Sequence, residues 1–155
     1  MDRIGAVKEY VDAMLRRLPD ADWRRWGYTH LFGVAQFCAM IAMKRGADVE
    51  LATVAGLLHD VATYSTMDGT KHAHRGAVMA REILSGLGAF ALEEIDEVCG
   101  AIHNHSDKAG AHLPLDEVLK DADVLQHALY DPLESVPEKE AARFAALKRE
   151  FGLIG

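Results

Sequence analysis

Apolar residues recur along this chain at the 3.6-residue period of helices. No run alternates apolar and polar side chains between turn residues as a half-buried strand would. A first helix is predicted over residues 2–18, with Ile4, Val7, Val11, Met14 and Leu15 on one side and Pro19 behind it. Asp20 or Asp22 can cap a second, from about Trp23 to Lys44, with an interruption near Gly27. Its stripe is Leu31, Val34, Ala35, Cys38, Ile41 and Ala42. Asp48 caps a third, which carries Leu51, Val54, Ala55, Leu58 and Val61. Residues 63–71 read as a polar loop, and helices follow over about 72–87 and 91–105. A second polar loop covers 106–114, and a helix over about 115–130 ends at Asp131-Pro132. A charged helix over about 137–152 docks through Phe144, Leu147 and Phe151.

The pattern predicts an all-α fold: one compact domain over residues 1–155, with six or seven helices and no internal repeat or dividing linker. Trp23 and Trp26 read as packing residues, and Met40, Met43 and Met79 as core filler. Cys38 and Cys99 fall in apolar stripes and read as buried, reduced thiols. No apolar run approaches the ~20 residues that span a bilayer. The N-terminus lacks the basic-then-apolar layout of a secretion signal, so the cytoplasm is the expected compartment and no membrane partner is expected. A net charge of -7 disfavours a nucleic-acid polymer as partner, but not a small phosphorylated substrate held at a metal site. A homodimer is left open.

Eight histidines in 155 residues carry the chemistry. His59-Asp60 ends an apolar helix, where an imidazole and a carboxylate are costly to bury unpaired. Neighbouring helical residues point about 100° apart, so the two can embrace a cation only if other helices complete the shell. His30 opens the apolar part of the second helix. Asp121 and Asp123 flank the stripe of the sixth, about 200° apart, and periodicity does not choose between them. Nitrogen and oxygen ligands of this kind suit Mn, Fe, Co, Ni, Zn or Mg.

His30, then Gly56-Leu57-Leu58-His59-Asp60, then Ala122-Asp123-Val124-Leu125 resembles the HD superfamily of metal-dependent phosphohydrolases, over a core of about residues 23–130. The resemblance implies the HD-type helical fold and a metal site of His30, His59, Asp60 and Asp123, choosing Asp123 over Asp121. His72-Ala73-His74-Arg75-Gly76-Ala77 and Ile102-His103-Asn104-His105 resemble segments of HD domains that hold two metals. They point to His72 and His105 as second-metal ligands or pocket residues, with Asp60 as a bridge and catalytic carboxylate. His74 and His103 read as neighbours without that role, and His112 and His127 as exposed or on a polar helix face. The chain departs from many HD hydrolases at Gly33, where an Arg is common, and at Thr63, where a Lys is common. Lys71, Arg75 and Lys108 are the expected replacements for binding an anionic substrate. The implied activity is hydrolysis of a phosphate ester or anhydride in a small molecule such as a nucleotide, with one or two divalent ions. A di-iron oxygenase of the HD type, or a metal-bearing nucleotide-binding module without turnover, are the alternatives.

Overall fold

A computed structural model describes residues 2–153, and every regular element among them is an α-helix. In chain order these are α1 (Arg3–Arg16), α2 (Ala21–Arg45), α3 (Val49–Leu58), α4 (Val61–Thr66), α5 (His72–Leu87), α6 (Leu92–Asn104), α7 (Pro114–Tyr130) and α8 (Glu138–Glu150). Aspartates open the first three. Asp2, Asp20 and Asp48 each accept the backbone N–H three residues on, at 2.8, 2.7 and 2.9 Å. Gly46 and Gly88 close α2 and α5 with φ of 68° and 63°, the left-handed conformation that a Cβ disfavours.

The structure corrects the sequence reading in three places. First, α2 runs unbroken through Gly27. That glycine is a point of close approach, because a Cβ there would fall 2.4 Å from Leu15 Cδ2 of α1. Second, the third predicted helix splits at the His59-Asp60 doublet. Asp60 leaves helical geometry at φ -112°, ψ 18°, and the six-residue α4 takes up part of the segment expected to be loop. Third, Met40 and Met43 are 39% and 69% exposed, so only Met79 of the three packs against the core.

α3 is the centre of the molecule, with every residue from Leu51 to Leu58 buried. The long α2 packs on it and also on α7, while α5 and α6 form a second pair that meets α3 and α7 through α6. One apolar cluster draws on all eight helices, from Val7 in α1 to Leu147 in α8. Cys38 and Cys99 are buried within it as free thiols. Among the described residues no helix is long and apolar enough to cross a membrane.

Candidate metal centre

Four histidine rings point the same atom at one place. His59 Nδ1 donates to Gly56 O (2.8 Å), His105 Nδ1 to Ile102 O (2.6 Å) and His72 Nδ1 to Gly69 O (3.2 Å). A backbone carbonyl only accepts, so each Nδ1 carries a proton, and in the neutral ring each Nε2 keeps its lone pair. Gln126 Oε1 does the same for His30 Nδ1 at 2.7 Å. This arrangement, with Nδ1 anchored on an acceptor and Nε2 turned toward the cluster, is how metal-binding imidazoles are oriented.

The break at Asp60 explains how adjacent residues reach one point. In a continuous helix the side chains of His59 and Asp60 would diverge. Here Asp60 Oδ2 lies 3.4 Å from His30 Nε2 and 3.7 Å from His59 Nε2, and those nitrogens are 3.0 Å apart. Asp123 Oδ1, from α7, is 3.6 and 3.7 Å from the same two. The other oxygen, Asp60 Oδ1, faces His72 Nε2 (3.8 Å) and His105 Nε2 (3.7 Å). One carboxylate therefore stands between two sets of imidazoles. α5 reaches it because Gly76, one turn after His72, passes the doublet's backbone; a Cβ there would fall 2.7 Å from His59 O.

The electrostatics favour a cation. Asp60 Oδ1 and Asp123 Oδ1 are buried with no hydrogen-bond partner, a placement that costs free energy unless a charge or metal answers it. Burial would raise the pKa of Asp60, but His59, His30 and His105 outweigh it and hold the carboxyl well below its usual range. Asp123 is held down likewise, burial being overcome by His59, Lys108 and His127. For His30, burial is outweighed by Asp60 and Asp123, which raise it, whereas burial and the charge of His59 push His105 down to about 4. The nitrogen and oxygen donors, close enough for neighbouring positions on one ion, fit a divalent first-row metal or Mg.

Other residues singled out in the sequence lie at varied distances from this cluster. Asp121 points away from it and pairs with Arg45 (2.7 Å) and Arg143 (2.9 Å). Lys108 does not face the open pocket; its buried ammonium sits 2.5 Å from Asp123 Oδ2, behind the ligand oxygen. Arg75 is held by Asp68, Thr70 and Thr66, and Lys71 is exposed at the start of α5. None of these three lines the pocket beside the cluster, and ion pairing and loop hydrogen bonds hold Lys108 and Arg75. His74 and His103 form an exposed pair, ring centres 5.6 Å apart. His112 meets Lys120, whose fully buried ammonium also takes Gly110 O and Glu117. Gly33 leaves room for Gln126, whose Cγ would be 3.1 Å from a Cβ at that position.

Sequence reasoning missed Gln126 and His127. Both stand on α7 after Asp123, where a polar residue beside an apolar stripe reads as solvent-facing. Gln126 is instead buried, and His127 is exposed as expected, but both line a pocket of about 390 Å³ beside the cluster, with Trp26, Thr29, His30, Asp60, Tyr64 and Tyr130. Trp26, expected in packing, is 46% exposed at this pocket, and Trp23 is the one that packs, donating to Tyr64 O.

A family model for the HD domain matches residues 27–128. The chain belongs to the HD-domain family. Membership places it in a superfamily of metal-dependent hydrolases, in keeping with the imidazole and carboxylate cluster. No curated protein matches it in sequence. Its fold is similar to the crystal structure of a predicted HD superfamily hydrolase from an uncultured Thermotogales bacterium. The TM-score is 0.60 at 22% identity, over 97% of this chain and 87% of that one. The family match stops short of α8, so this HD domain carries its last helix outside the matched segment.

Proposed function

We propose that this HD domain is a metal-dependent phosphohydrolase acting on a small phosphorylated molecule, with a nucleotide as the substrate class. The observation that carries the reading is the Asp60 carboxylate, one oxygen toward His30 and His59 and the other toward His72 and His105. His30, His59, Asp60 and Asp123 would hold a first ion, and Asp60, His72 and His105 a second. Divalent ions bound there supply Lewis acidity, which activates water and offsets charge on phosphoryl oxygens.

The chain's own residues do the rest. Gln126 and the Gly56 and Ile102 carbonyls keep the rings in the tautomer that binds metal. Lys108, paired with Asp123 Oδ2, keeps that carboxylate ionised and aimed. Ser106 Oγ lies 2.8 Å from His72 Nε2 and donates to its lone pair, so metal binding there requires the hydroxyl to turn. The pocket is of small-molecule size, and Trp26, Tyr64 and Tyr130 along it offer aromatic faces for a planar base.

The nitrogen-rich second group around Asp60 Oδ1 also suits iron, which keeps an iron-dependent oxygenase as the second reading. The test is metal analysis of protein purified without chelator, then phosphate release from nucleoside mono-, di- and triphosphates with Mn, Co, Ni, Mg and Fe, with and without air. Asp60→Ala should lose both metal and turnover while keeping its helical circular dichroism. A fully active D60A, or oxygen-dependent turnover of an unphosphorylated substrate, overturns the phosphohydrolase reading. Tight nucleotide binding without turnover under every metal indicates a binding module.

A further inference from the structure

A fifth histidine obeys the rule of the other four. His127 Nδ1 lies 3.3 Å from both oxygens of Glu140, and its Nε2 lies on the cluster side, 3.4 Å from Asp123 Oδ1. Its ring stacks on that of His30, centres 5.2 Å apart and planes within 6°. His30, Asp123 and His127 together form a group able to share one ion. Asp123 Oδ1 has no hydrogen-bond partner, so His127 is near it without donating to it. Both atoms present lone pairs to common space.

Glu140 supplies the second observation. It is 1% exposed, and its carboxylate meets no other side chain than His127 among the described hydrogen bonds and ion pairs. A buried carboxylate against Nδ1 fixes the tautomer and makes the opposite nitrogen a better donor. Glu140 belongs to α8, which also grips the loop behind the site through Arg143, donating to Lys108 O at 3.0 and 3.2 Å.

We infer that His127, oriented by Glu140 of α8, is a fifth protein ligand of the first ion, so that the helix outside the family-matched segment completes the metal centre. The inference rests on the divalent-ion reading above, and the experiment separates the two. Full-length protein stripped of metal is titrated with Co2+ against a chromophoric chelator, and the visible spectrum of the loaded protein is recorded. H127A should bind the first equivalent more weakly by at least the roughly 10–100-fold that loss of an outer-shell partner costs, with visible bands that intensify as the coordination number falls. E140Q, a positioning variant that keeps one acceptor for Nδ1, should lie between H127A and wild type in both readouts. H127A is half exposed at the pocket and leaves the core untouched, so it reports even if E140Q fails to fold. If H127A matches wild type in affinity and spectrum, the inference is overturned. A raised KM with unchanged Co2+ binding overturns it too, by making His127 a substrate contact. If wild type itself binds no Co2+, the divalent-ion reading falls and takes this inference with it.

Discussion

Gly56 sits where α3 crosses α2, and a Cβ there would fall 2.6 Å from Ala35 Cα and 2.8 Å from Ala35 N. Both are backbone atoms of a buried helix, so the helices rather than a side chain would have to yield. His30 and His59 lie within two turns of that crossing, on opposite sides of a 3.0 Å gap between their Nε2 atoms. Gly56→Ala should therefore cost about 1–3 kcal/mol in urea unfolding, the usual range for an overpacked core, and should weaken metal binding as the two rings part. An unchanged unfolding midpoint would show that the crossing has slack. Gly33 makes a related point: its bare Cα gives Gln126 the space from which it holds His30.

At the level of elements, α8 is tied to α7 by charge as well as by Leu147. Arg143 reaches Glu117 (2.7 Å) and Asp121 (2.9 Å), while Arg45 of α2 joins Asp121 and Glu150, both at 2.7 Å. Burial raises the pKa of Glu117, but Arg143, Lys120 and the His112 N–H outweigh it and bring it to about 2, from an ordinary 4.5. A carboxyl depressed in the folded state stabilises the fold above its unfolded pKa and loses that contribution as pH falls. The loss should therefore run from about pH 4.5 down toward 2. Urea midpoints of the metal-free protein taken across that window should decline, and Glu117→Gln should flatten the decline while lowering stability at neutral pH. A slope that E117Q leaves unchanged would assign the acid limb to other carboxylates.

For the molecule as a whole, the cluster joins helices far apart in the chain. His30 comes from α2, the doublet from the α3–α4 joint, His72 from α5, His105 from the end of α6 and Asp123 from α7. An ion that binds only when these are assembled stabilises the fold by mass action, about 2.7 kcal/mol at a hundredfold excess over Kd. The Tm should thus climb with added Mn2+ or Co2+ and fall with chelator. D60A should show neither response. A wild-type Tm indifferent to both would mean the site is not a cation site.

The all-helical fold could be read from the chain because periodicity and capping are local properties, carried by runs such as Leu51–Leu58 and by Asp20, Asp48, Gly46 and Gly88. The motif around His30, His59-Asp60 and Asp123 could be read because spacing and context survive in one dimension. Neither could show that the doublet stands at a break in a helix, with one Asp60 oxygen turned toward histidines brought in by α5 and α6. Nor could they show Lys108 behind Asp123, Gln126 behind His30, or Glu140 behind His127. Those partners lie 15, 96 and 13 residues away along the chain. A side chain's partner at such separations is set by how helices pack, and packing depends on the shapes of all of them at once.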